Sequence, residues 1–112
     1  MKPMNKARDL AKEEPRSMTA TLGGYIWLPR MIDKARAARA GTLGDYYRYP
    51  CPIDITCLQR LGIASDTFAD IVEATDSDDE VLTILKQQGV ADPDKASFDP
   101  IKLNQELHNK GS

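Results

Sequence analysis

The sequence predicts an all-α fold: a single compact domain of four to five short helices behind an irregular N-terminal arm. Three observations carry that expectation. Apolar residues recur at helical spacing, most clearly over residues 28–40. Prolines and glycines stand where helices would start and stop. The 112 residues, 41% of them hydrophobic, suffice for one modest core.

Residues 1–19 hold Pro3, Pro15 and the charged run Lys12, Glu13, Glu14 and Arg16, with no sustained apolar period. They are expected as an arm packed on the domain, with a helical turn at Asp9 to Glu13, and residues 20–112 as the helical domain. The stretch Thr19 to Trp27 leads through Gly23 and Gly24 into the main helix. Pro29 fits only a first turn, so that helix starts at about Leu28, and Gly41 caps its end. Leu28, Met31, Ile32, Ala35 and Ala38 share its core face. Arg30, Asp33 and Ala37 fall opposite, Lys34 and Arg36 lie on the flanks, and Arg39 snorkels out of the apolar arc.

Thr42 to Pro52 forms an ordered loop with a short extended piece at Tyr46 to Tyr49. A helix follows from Pro52 to Leu61 and stops at Gly62. Ser65 is expected to cap a helix carrying Phe68, Ile71 and Val72. Asp76 or Ser77 starts another, with Asp79 and Glu80 in its first turn and Val81, Leu82 and Leu85 inward, ending at Gly89. The tail turns through Pro93 and Pro100 into a last short helix to Asn109.

The first 60 residues carry 11 Lys and Arg against 6 Asp and Glu, the remainder 4 against 11. Such halves neutralise each other within the fold or present opposite faces to partners. Nucleic-acid association requires denser Lys and Arg clustering and ranks last. No segment approaches the ~18 consecutive apolar residues of a membrane span. Residues 1–20 are too charged for a secretory signal, so the cytoplasm is the expected compartment, with Cys51 and Cys57 as free thiols.

The residues LGGYIWLPRMIDKARA, then GTLGDY, CPID and the Gly62-Ile63 pair before an acidic helical segment, carry a resemblance. The chain resembles the bacterial family called domain of unknown function 5069, from about Asp9 to Leu85. Its most specific block is carried by Leu28, Pro29, Arg30, Asp33, Lys34 and Arg36, a second by Gly44, Tyr46, Cys51, Pro52 and Asp54. The resemblance implies a compact domain and carries no activity onto named positions. Arg39 and the tail after Gly89 depart from the pattern.

Two constellations carry potential chemistry. Arg30 and Lys34 are like charges at i and i+4, costing ~0.2–0.5 kcal/mol on an isolated helix, so something compensates. Asp33, one turn from Arg30 and Arg36, supplies a local ion-pair network, with Asp45 or Asp54 as further partners. The alternative is an anion pocket for a carboxylate or phosphate, walled by Trp27 and Tyr46. Cys51 precedes Pro52 at an N-cap, where the helix dipole favours a thiolate, against the plainer role of a buried, inert cysteine. Cys57 lies about 9 Å further along the helix axis, too far to act as a resolving thiol.

The lone His108, the C-x5-C spacing and the Asp76 to Glu80 run make no metal pattern, and no phosphate-cradling or dinucleotide loop is present, so neither metal nor cofactor is expected. The cluster Tyr46, Tyr47, Arg48 and Tyr49 packs over a core edge or meets a protein partner. The leading expectation is a non-enzymatic binding or interaction module for a small anion or protein, using Trp27, Arg30, Asp33, Lys34, Asp45 and Tyr46. The alternative is a thiol-dependent enzyme with Cys51 as nucleophile and Asp54 or Asp33 as acid or base. The oligomeric state stays open.

Overall fold

The computed structural model describes residues 7–109, so Pro3 of the arm and Gly111 and Ser112 of the tail lie outside the described residues. The elements run β1 (Thr21–Leu22), β2 (Tyr25–Ile26), α1 (Leu28–Ala40), α2 (Pro52–Leu61), α3 (Ser65–Glu73), α4 (Asp78–Gln87), α5 (Pro93–Ala96) and α6 (Pro100–Asn109). The fold is mostly helical, as expected, with five helices of nine residues or more and the single turn α5 among the described residues. None is long and apolar enough to cross a membrane.

The β1–β2 hairpin was not anticipated. It pairs Thr21 with Ile26 and Leu22 with Tyr25 across Gly23 and Gly24, whose φ values of 59° and 88° favour glycine. A two-residue strand is too short to show a sequence period. The hairpin delivers Trp27 to the N-cap of α1 at φ 75°, and its carbonyl accepts from the Met31 N–H at 3.0 Å. Pro29 sits in the first turn, and the chain leaves α1 through Gly41 at φ 77°, as the sequence predicts.

Leu28, Met31, Ile32 and Ala35 are fully buried on the inner face of α1, which packs chiefly on α3. Burial does not stop at that face: Asp33, Lys34 and Ala37 are buried too. The expected polar side of α1 is covered because the arm lies along it. The Leu10 N–H donates to Thr42 O at 2.8 Å, the Thr42 hydroxyl donates to Arg8 O, and Leu10 and Pro15 are buried. Gly44 backs onto the arm so closely that a Cβ would lie 3.1 Å from Ala11 backbone atoms. Arg39 turns outward and pairs with Asp70 and Glu73 of α3 at 2.8 and 2.9 Å.

Three details differ from expectation. Residues 46–49 form no strand: Tyr46 lies in a turn and Tyr49 in a bend. Ala64, not Ser65, is the N-cap of α3, and the Ser65 carbonyl instead accepts from the Tyr49 hydroxyl at 2.8 Å. Of the two proposed starts for α4, Ser77 is the cap; its Oγ accepts from the Glu80 N–H while Glu80 reaches back to the Asp76 N–H. Between α1 and the α2–α5–α6 side, Trp27, Phe68, Leu61 and Leu58 join one core.

Candidate functional site

The site begins with a buried ion pair. Asp54, in the first turn of α2, is 0% exposed, and Lys34 of α1 is 3% exposed. Lys34 Nζ donates to Asp54 Oδ2 at 2.8 Å, and the Cys51 backbone N–H donates to that same oxygen at 2.9 Å. The Trp27 indole N–H donates to Asp54 Oδ1 at 2.8 Å. One carboxylate thus balances the lysine charge, caps α2 and fixes the tryptophan, as a buried charge requires. Cys51 completes the capping box, its Sγ accepting from the Asp54 N–H and, at 3.2 Å, from Lys34 Nζ.

Above this pair opens a cavity of about 460 Å³, whose wall includes Trp27, Arg30, Lys34, Tyr46, Tyr47, Arg48 and Cys51. The Arg30 guanidinium lies between two aromatic rings, 5.5 Å from the Trp27 centroid and 5.6 Å from that of Tyr47. Its Nη1 donates to the Arg16 carbonyl at 3.1 Å, whereas its Nε is buried without a partner. Tyr46 is 86% exposed and meets Tyr47 edge-on at 4.9 Å. No carboxylate lines the cavity among the described residues.

The expected residues therefore divide. Trp27, Arg30, Lys34, Tyr46 and Cys51 come together at the cavity, and Asp54 lies beneath it with both oxygens engaged. Asp45 is exposed and not part of the wall. Asp33 faces the arm, where it accepts from the Arg16 N–H at 2.8 Å and from Arg16 Nε and Nη2 at 3.0 Å each, with Arg8 at 3.7 Å. This corrects the expected Arg30–Asp33–Arg36 network. Arg30 donates one N–H to the arm's backbone and pairs with no carboxylate among the described residues, and Arg36 donates to the carbonyls of Val72 and Thr75 at the end of α3.

The family model described as Domain of unknown function (DUF5069) matches residues 12–109. The chain belongs to this family. The match reaches past Gly89 to the end of α6, so the tail expected to depart from the DUF5069 pattern lies inside it. No functionally curated protein matches the chain at a significant level.

In this DUF5069 chain α6 contributes Asn104 and His108 to the cavity wall, and the arm contributes Met18. Sequence reasoning missed all three at this site, since nothing local ties the tail or the arm to Arg30. Tyr47 and Arg48 were legible only as a sticky loop. No group of three or more His, Cys, Asp or Glu arranged to hold a metal occurs among the described residues.

Cys57 differs from Cys51 in being 2% exposed and outside the cavity wall. Burial pushes its thiol up to about 12, and the Asp54 charge adds to that. The folded protein then keeps a proton that the unfolded chain releases near pH 9.0. Its contribution is complete below that pH and is lost as pH rises toward about 12. Burial raises the Tyr49 phenol in the same sense. Urea unfolding is expected to show stability falling above pH 9.0, less steeply in Cys57→Ala; equal slopes would remove Cys57 as the cause.

Proposed function

We propose that this DUF5069 protein is a binding module that takes a small carboxylate or phosphate in the cavity between α1, the tyrosine loop and α6. One observation carries the reading: the wall holds Arg30, Lys34 and Arg48 and no carboxylate among the described residues, and Arg30 keeps a buried Nε without a partner. Asp54 balances Lys34, so Arg30 and Arg48 supply the uncompensated charge. A guanidinium suits a planar, two-oxygen anion, and the rings on either side of Arg30 hold its plane. Asp33 and Asp54 are both committed to other partners, which favours binding over acid–base catalysis in this cavity.

Titration with inorganic phosphate, followed by the Trp27 indole N–H resonance, tests the reading. The expected result is a saturable shift that high salt weakens. Arg48→Gln should lower the affinity about 10-fold, the weight of one charged hydrogen bond at ~1.5 kcal/mol. No shift with phosphate or acetate at millimolar concentration would sink it.

A further inference from the structure

We infer that Cys51 is a nucleophilic site for small anionic electrophiles, of the class of α,β-unsaturated carboxylates, held by Arg30 and Arg48 while a carbon meets the sulfur. The inference rests on the anion reading of the same cavity and adds a covalent step to it. Cys51 is the N-cap of the ten-residue helix α2, and its Sγ accepts from a backbone N–H and from the buried Lys34 ammonium. Both donors hold the sulfur in place on the cavity wall. The thiol is half-buried on the cavity wall, so a molecule inside reaches it, unlike Cys57.

An independent observation points to the ligand's charge. Arg30 Nε is buried and unpartnered, and Arg48, on the same wall, is exposed and makes no hydrogen bond or ion pair with the described residues. A volume of about 460 Å³ leaves room for a carbon body behind the anionic group. In the step itself the thiolate forms a carbon–sulfur bond at the β carbon. The double-bond pair moves to the α carbon, which takes up one proton in place of the one the thiol released. Nothing leaves, and no oxidant or reductant is needed.

Iodoacetate and iodoacetamide make a matched pair of probes: each forms a carbon–sulfur bond and expels iodide, and they differ in charge. With glutathione as the reference thiol, the iodoacetate-to-iodoacetamide rate ratio at Cys51 is expected to be about tenfold higher or more. Peptide mass spectrometry of the native protein should place the label on Cys51 and not Cys57, and Cys51→Ser should abolish it. Arg48→Gln, a change to an exposed side chain, should bring the ratio toward glutathione's, as should Arg30→Gln and added phosphate. A glutathione-like ratio overturns the inference, even if iodoacetamide alone reacts fast, and so does a native Cys51 as inert as Cys57. If phosphate still shifts the Trp27 indole, the inference fails alone; if it shifts nothing, the anion reading fails with it.

Discussion

Replacing Asp54 by alanine is expected to lower the free energy of unfolding by about 3–5 kcal/mol, the cost of leaving a buried charge without its partner. Lys34 is 3% exposed and would keep only the Cys51 sulfur as acceptor, while the Trp27 indole and the Cys51 N–H would lose theirs. Lys34→Met/Asp54→Leu removes both charges together, so it should be destabilised by much less than the two single changes combined. Urea unfolding followed by Trp27 fluorescence reads all of these. A loss under about 1 kcal/mol for Asp54→Ala would mean that water reaches the pair.

A buried pair of this kind adds little stability over an apolar one of the same volume. Its effect in this chain is positional. One carboxylate sets the N-terminus of α2, the plane of the Trp27 ring on which Arg30 stacks, and the distance from Lys34 to Cys51. Loss of Asp54 should therefore reach the cavity as well as the core.

The helices were largely legible because their ends are written in local chemistry. Pro29 with Gly41, Pro52 with Gly62, and Ser77 with Gly89 bracket α1, α2 and α4 by backbone preference alone. Ala64 as the cap of α3 shows where that stops: its side chain carries no signal, and the neighbouring serine misleads. The site was half legible. Trp27, Arg30 and Lys34 share one helix start, so their proximity followed from spacing. The partners that decide their roles did not, because Asp54 lies 20 positions from Lys34 and the Arg16 contacts to Asp33 span 17. A helical projection puts Lys34 on a flank of α1, and it does not show that α2 brings Asp54 and Cys51 against the ammonium and buries it.

Arg16→Ala should cost about 2–3 kcal/mol, less than Asp54→Ala because Asp33 is not left bare. Asp33 is 8% exposed and takes two guanidinium bonds from Arg16, but it keeps the Arg16 backbone N–H and the more distant Arg8. The same guanidinium bonds Asp78 of α4, joining the arm, α1 and α4 through one planar group. Lysine offers a single ammonium and should not rescue the variant. The hydrogen bond from Arg16 is the main cause holding the Asp78 carboxyl below its usual 3.8. A depressed carboxyl contributes stability above the unfolded value and loses it as pH falls through the folded one. The gap between wild type and Arg16→Ala should accordingly narrow when urea midpoints are compared at pH 7 and about pH 3. Because the Arg16 carbonyl also holds Arg30 Nη1, and Met18 lines the cavity two residues on, freeing the arm should weaken phosphate binding as well. An arm that stays protected from proteolysis in Arg16→Ala, with phosphate affinity unchanged, would mean that its apolar contacts at Leu10 and Pro15 hold it without the clamp.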